Sequence, residues 1–222
     1  MNNEQITKQI LEKFKKKQIG WLQLDTSFEN YIDHQELSAV NDFYVDHREG
    51  ENHKGWQSCC VHGLGITKTQ VSQQYGHVDE LNAPYYWTAL AKLAPKATEF
   101  WKNFPAEKFT RVRFMKLAPN GYVGLHNDSP TNMLDNIDLL NYLLPINLSI
   151  THPKDCIMEI ENHGIVPWKP GSVFLINILN NHTVKNNSAE DRIHMIAQAH
   201  VGNQREKFCE LIARSVIKNG IL

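Results

Sequence analysis

From residue 107 onward the chain is a succession of short β-type runs separated by turn chemistry, and this constrains its fold more than any other feature. Thr110–Met115 is rich in β-branched and aromatic residues. Asn120-Gly121 is a strong turn signal. Leu144, Ile146, Leu148 and Ile150 alternate with other residues as a half-buried strand requires, because successive side chains leave a strand on opposite faces. Cys156–Glu161 and Ile165–Trp168 flank Asn162-His163-Gly164 like the arms of a hairpin, and Lys169-Pro170-Gly171 turns the chain into the apolar run Ser172–Ile178. His182–Lys185 and Arg192–His200 follow, with a polar turn between them. Helical periodicity brackets this region. It covers residues 3–17, where Ile6, Ile10, Leu11 and Phe14 share a face and the lysines sit at the C-terminal end. It recurs at residues 84–104, where Pro95 forces either two helices or a kink, and at Asn203–Lys218. Residues 20–80 read as short strands and loops. The expected architecture is mainly β with flanking helices: a double-stranded β-helix, or cupin-like jelly-roll barrel. It is read as a single domain, 1–222, with a mixed helical buttress at 1–106, a jelly-roll core at 107–202 and a closing helix at 203–222.

Composition removes several classes. The formal charge of −1 gives no bulk attraction to nucleic acid or an anionic membrane, so neither is expected as a partner. The four cysteines include an adjacent pair and no C-x-x-C spacing, which is neither a disulfide framework nor a zinc ribbon. The N-terminal segment is polar and amphipathic, without the apolar core of a signal peptide. No stretch reaches membrane-spanning length, and a cytoplasmic location is the expectation.

Eleven histidines are present, and two of them stand in a pattern with chemical content. His126 and Asp128, at i and i+2 of an extended segment, present an imidazole and a carboxylate on the same side. With His182 downstream they form a two-histidine, one-carboxylate set that leaves positions open on an iron(II) ion. His-x-Asp alone is a weak signal, met also in ordinary turns. Arg192, ten residues after His182, strengthens it. In a symmetric hairpin centred on Asn187 the two residues face each other with Cβ atoms roughly 5 Å apart. An arginine there suits the distal carboxylate of a metal-bound 2-oxo acid, which a guanidinium holds with two parallel hydrogen bonds.

The run from Arg111 to Val201 resembles the aspartyl/asparaginyl β-hydroxylase family, which includes bacterial proline hydroxylases. The resemblance is carried by Leu125-His126, Ser129-Pro130-Thr131-Asn132, Ile150-Thr151-His152-Pro153-Lys154, Trp168 to Leu175, and the spacing from His182 to Arg192. It implies a double-stranded β-helix, Fe(II) and 2-oxoglutarate as cofactors, and O2 as co-substrate. It implies His126 and His182 as iron ligands, Arg192 on the 2-oxoglutarate carboxylate, and further cofactor contacts near Met115, Leu117 and Asn147. The animal enzymes resemble His-x-Gly where this chain has Asp128, and they have an arginine and a histidine where it has Pro145 and Asn147. The bacterial proline hydroxylases share the aspartate, so the full triad His126, Asp128, His182 is expected to hold the metal. The expected reaction is hydroxylation of a C–H bond in an amino acid or a peptidyl Asp/Asn-like residue, with succinate and CO2 as co-products.

The alternatives are a free amino-acid (proline-type) hydroxylase of the same class, a non-catalytic cupin-like metal-binding or ligand-binding module, and a zinc hydrolase on the same ligands. His194 and His200 share the face of Arg192, either lining the pocket or serving as structural histidines. Trp56, Tyr85 and Tyr86 are candidates for a pocket wall, with core packing as the plainer reading. Asn132–Asn141 reads as a short helix or lid over the site, or as a loop.

Overall fold

The structure is a computed structural model that describes residues 1–48, 50–128, 139–141 and 143–221. In chain order the elements are α1 (Asn3–Lys15), β1 (Trp21–Ser27), α2 (His34–Val40), β2 (Val45–Asp46), β3 (His53–Gly63), β4 (Tyr86–Trp87), α3 (Leu90–Leu93), α4 (Pro95–Asn103), β5 (Lys108–His126), β6 (Leu143–Thr151), β7 (Cys156–Ile160), β8 (Gly164–Ile165), β9 (Ser172–Ile176), β10 (His182–Asn186), β11 (Arg192–His200) and α5 (Arg205–Lys218). Pro95 resolves as two helices, standing at the first turn of α4 where its missing N–H costs nothing. The lid expected at Asn132–Asn141 lies outside the described residues except for a 3-10 turn at Leu139–Asn141.

The strands form one antiparallel sheet in the order β1-β9-β6-β11-β5-β10-β7-β8, with β3 on the other edge of β5 and carrying β2 and β4. The sheet curls into a half-barrel of jelly-roll type, mainly β with a few helices. Strands β1 and β3 belong to it, so pairing extends well before residue 107. Among the described residues no helix is long and apolar enough to cross a membrane.

One strand organises the rest. β5 runs 19 residues and pairs along one edge first with β11 and then with β10. The tight turn expected at Asn120-Gly121 is instead a bulge inside this strand, where Ala118–Gly121 stand opposite the single residue Gly55 of β3. Asn120 takes the left-handed conformation (φ 55) and so does Gly55 (φ 65), a conformation open to Asn and Gly at little cost. Pairing resumes beyond the bulge because β3 and β10 continue past it; the turn chemistry bends the strand without reversing it.

Strict alternation then gives the sheet two apolar faces. Val112 and Phe114 of β5, Ile146 and Leu148 of β6, and Met195 and Ala197 of β11 face outward onto a core sealed by helices. α1 opens with a capping box between Asn2 and Gln5, and its Ile10, Leu11 and Phe14 are buried there. α5 adds Phe208, Leu211, Ile212 and Val216. Each such side chain contributes about 1.5–3 kcal/mol by its burial. The opposite face is the inside of the curl, where Leu117, Val123, Met158, Phe174, Ile176 and Val184 cluster. β6 is therefore buried on both faces, not half-buried, because its second face borders this interior.

A Cβ on Gly121 would stand 2.7 Å from the Ala118 carbonyl oxygen and 2.8 Å from that of Lys54. Both are backbone atoms of paired strands and have nowhere to move. Gly121→Ala is expected to lower the unfolding free energy by about 1–3 kcal/mol in urea titration. A loss under about 0.5 kcal/mol, within the ordinary range for neutral surface changes, would contradict the bulge geometry.

Candidate metal centre

His126 ends β5 and His182 begins β10, and the two are direct cross-strand partners with ring centroids 4.3 Å apart. Asp128 lies just past the strand end, where its backbone N–H donates to the Ile178 carbonyl at 3.0 Å. Its carboxylate stands 3.9 Å from His126 Nε2 and 4.0 Å from His182 Nε2. The Nδ1–H of His126 donates to the Gly124 carbonyl at 2.8 Å, and that of His182 to the Asn180 carbonyl at 3.0 Å. Backbone oxygens only accept, so both rings are held as the tautomer whose Nε2 lone pair faces Asp128. Burial keeps His182 below its ordinary pKa and therefore neutral, the form that binds a metal. One ligand atom from each residue lies within 4.8 Å of the others. The donor chemistry, two pinned imidazoles and one carboxylate, fits a divalent transition metal such as iron(II). Arg48 approaches the same carboxylate from the solvent side at 3.4 Å.

The hairpin expected between His182 and Arg192 does not form. β10 and β11 follow one another along the same edge of β5, so His182 opposes His126 while Arg192 opposes Leu117. The polar stretch between them is a crossover from one half of the curl to the other. Asn186 pins it: its buried side-chain amide donates to the carbonyls of Leu117 (3.0 Å), Ala118 (3.1 Å) and Glu190 (2.8 Å). Arg192 still reaches the site, because both strands border the same cavity of about 860 Å³.

Arg192 is buried and no acidic side chain pairs with it among the described residues. Its Nη2 donates to His194 Nδ1 at 2.9 Å, while its Nε has no partner. The accepting Nδ1 leaves the proton of His194 on Nε2, which meets His152 Nδ1 at 3.2 Å. His152 Nε2–H in turn donates to the Cys156 carbonyl at 2.9 Å. Trp168 packs edge-on against His194 at 4.5 Å. Burial, reinforced by the charge of Arg192, holds His152 down at about 4 and His194 far below its ordinary value, so the chain is neutral apart from the guanidinium. Burial also pulls Arg192 down to about 10. A cation in an apolar wall without a counter-ion is costly, and a carboxylate ligand relieves that cost. His194 thus stands behind Arg192, away from the cavity lining, whereas His200 lines the cavity. His152 belongs to a motif read from the sequence, but its partner could not be known without the register of β6 on β11.

Met115 and Asn147 both line the cavity, as does Pro145. Trp56 lines it too, with its ring 6.4 Å from that of His126, while Tyr86 is exposed. The sequence reading missed Arg111 and Arg113. They share the inward face of β5 with Met115, and period-2 counting back from Met115 identifies them.

The sequence matches the family described as aspartyl/asparaginyl β-hydroxylase over residues 18–200. No curated protein matches the chain. Among solved structures, it is similar to a prolyl 4-hydroxylase of Pseudomonas putida at 15% identity and TM-score 0.45, covering 87% of this chain and 97% of that one. It is also similar to a prolyl hydroxylase of Trichoplax adhaerens, solved with a peptide of the hypoxia-inducible factor oxygen degradation domain, at 11% identity and TM-score 0.49, covering 91% and 92%.

The buried neutral histidines make stability depend on pH. His152 titrates near 4 in the folded chain against an ordinary 6.5, and His62 is displaced in the same way by burial. Between these limits the unfolded chain binds protons that the folded chain refuses, so stability is full above pH 6.5 and falls as pH drops toward 4. Urea midpoints of the metal-free chain should fall across that window, with a shallower slope in His152→Gln. A midpoint that rose on acidification would contradict the neutral assignment.

Proposed function

From the premise that the chain belongs to the aspartyl/asparaginyl β-hydroxylase family of iron(II)- and 2-oxoglutarate-dependent oxygenases, we propose that it hydroxylates a C–H bond of an amino acid or of an Asp/Asn-like peptide residue. In this reading His126, Asp128 and His182 would hold the iron, and Arg192 would hold the distal carboxylate of 2-oxoglutarate. The observation that carries this reading is the juxtaposition in one cavity of a pinned His-Asp-His donor set and a buried guanidinium with no acidic partner among the described residues. A zinc hydrolase or a purely structural metal site has no use for the second feature.

Bound iron(II) with 2-oxoglutarate and dioxygen supplies an oxidant able to remove hydrogen from an unactivated C–H bond, leaving succinate and CO2 as co-products. The protein's part is placement. The backbone carbonyls of Gly124 and Asn180 fix which imidazole nitrogen is offered. Asp128 would complete a set of three protein ligands, a number that leaves an iron(II) ion open to the 2-oxo acid and dioxygen. Arg192, oriented by His194 and His152, fixes the far end of the 2-oxo acid. Met115 and Asn147 line the same cavity and are assigned further contacts to the cofactor. The apolar wall of Val123, Met158, Ile176 and Val184 keeps bulk water from the reacting atoms.

Anaerobic titration of the full chain with Fe(II) and 2-oxoglutarate should give the visible metal-to-ligand charge-transfer band of such complexes. Asp128→Ala and His182→Ala should each bring substrate-dependent succinate formation to background; full activity in both would rule out the ligand assignment. Arg192→Gln removes charge-assisted hydrogen bonds and should raise the KM for 2-oxoglutarate about 10- to 100-fold. An unchanged KM would move the carboxylate elsewhere.

A further inference from the structure

Arg192 stands at the head of a file of hydrogen bonds whose later members lie outside the cavity. Its Nη2 donates to His194 Nδ1 at 2.9 Å, His194 Nε2 meets His152 Nδ1 at 3.2 Å, and His152 Nε2 reaches the Cys156 carbonyl at 2.9 Å. Three strands contribute: Arg192 and His194 belong to β11, His152 directly follows β6, and Cys156 opens β7. Neither histidine lines the cavity. The Trp168 ring packs edge-on against that of His194 and lies 6.3 Å from that of His152.

The order of protons along this file is imposed from both ends. A guanidinium only donates, so His194 Nδ1 accepts. A carbonyl only accepts, so His152 Nε2 carries a proton. Burial, with the charge of Arg192 acting in the same sense, keeps both rings neutral. One order then satisfies all three contacts: each ring accepts through Nδ1 and donates through Nε2. Bonds aligned in this way polarise one another in the same direction.

His194 does not secure this order by itself. With its proton on Nδ1 it would meet an N–H of Arg192 head on. His152 forbids that tautomer. Its own proton is claimed by the Cys156 carbonyl, so it presents His194 with a lone pair that only a protonated Nε2 can meet.

We infer that His152 is a positioning residue for 2-oxoglutarate. It fixes the tautomer of His194 and through it the aim of Arg192, and so sets how firmly the distal carboxylate is held without touching it. This rests on the proposed place of that carboxylate at Arg192. Removing the His152 imidazole therefore loosens the distal end of the 2-oxo acid and spares the end that chelates the metal.

Two probes separate those ends. 2-Oxopentanoate has the carbon chain of 2-oxoglutarate without the distal carboxylate. Each acid is titrated anaerobically into the full chain loaded with Fe(II), and the charge-transfer band gives its Kd. His152→Leu should weaken 2-oxoglutarate about 10-fold or more and leave 2-oxopentanoate within about 2-fold. His152→Gln supplies an oxygen to accept from His194 and an N–H to donate to Cys156, and should restore the parent affinity. In the metal-free chain, imidazole nitrogen chemical shifts should report the Nε2–H tautomer for both rings, lost from His194 in His152→Leu. If His152→Leu gives no band with either acid, His152→Ala removes the same hydrogen bonds without added bulk and carries the comparison. Equal weakening of both acids, or their joint loss in Leu and Ala alike, marks a merely structural role and overturns the inference. So does an unchanged preference in the variant, a Gln variant no better than Leu, or an Nδ1–H tautomer at His194 in the parent. These outcomes leave the cofactor reading standing. No band in the parent chain, or no preference there for 2-oxoglutarate over 2-oxopentanoate, overturns that reading and the inference with it.

Discussion

Every part of the site depends on the pairing of one long strand, β5, with three neighbours. Its first half is hydrogen-bonded to β11 and β3, its second half to β10 and β3. At the bulge between the halves the carbonyls of Leu117 and Ala118 receive hydrogen bonds from the Asn186 side chain. Buried backbone oxygens need such donors, and a corner that lacked them would open to water. Because the corner is satisfied, His126 beyond it meets His182, while Arg113 and Met115 before it look into the same interior. The metal centre and the cationic wall are thus two ends of a single element.

Local rules made much of this legible. Period-2 alternation located the strands, Pro95 the helix break, and the i, i+2 relation of His126 and Asp128 the core of the candidate metal centre. What escaped was whatever depended on pairing over long sequence distances. Arg192 does border the cavity that holds His126, Asp128 and His182, but not by the geometry expected: the sequence suggests a hairpin, and only the length of β5 makes two consecutive strands lie end to end along it. Asn120-Gly121 has the chemistry of a hairpin turn and bends a strand instead, because β3 and β10 hold the chain beyond it. The partnership of His152 with His194 requires the register of β6 on β11, which no local pattern encodes.

Among the described residues, two of the buried arginines that face the interior have no acidic partner. Arg111 shows the ordinary solution, a carboxylate from Glu80 at 3.3 Å. Arg192 and Arg113 decline it: the first is oriented by neutral histidines, the second by a backbone carbonyl. Hydrogen bonds to neutral acceptors fix direction while leaving charge uncancelled, and the uncancelled charge is available to ligands. Stability is given up for that readiness, as is common where function needs a group preorganised.

The bulge at Ala118–Gly121 has a further consequence. Between Arg113 and His126 the spacing is covalent, laid down along one backbone at about 3.3 Å of rise per residue and shortened by the bend. β5 is a ruler with one adjustable joint. Exchanging side chains along it changes which groups face the cavity at either end, but the reach from Arg113 to His126 changes only when residues are gained or lost at the joint. A residue inserted or removed at this corner would therefore change the distance between the two ends of the site while leaving the groups that face the cavity as they are.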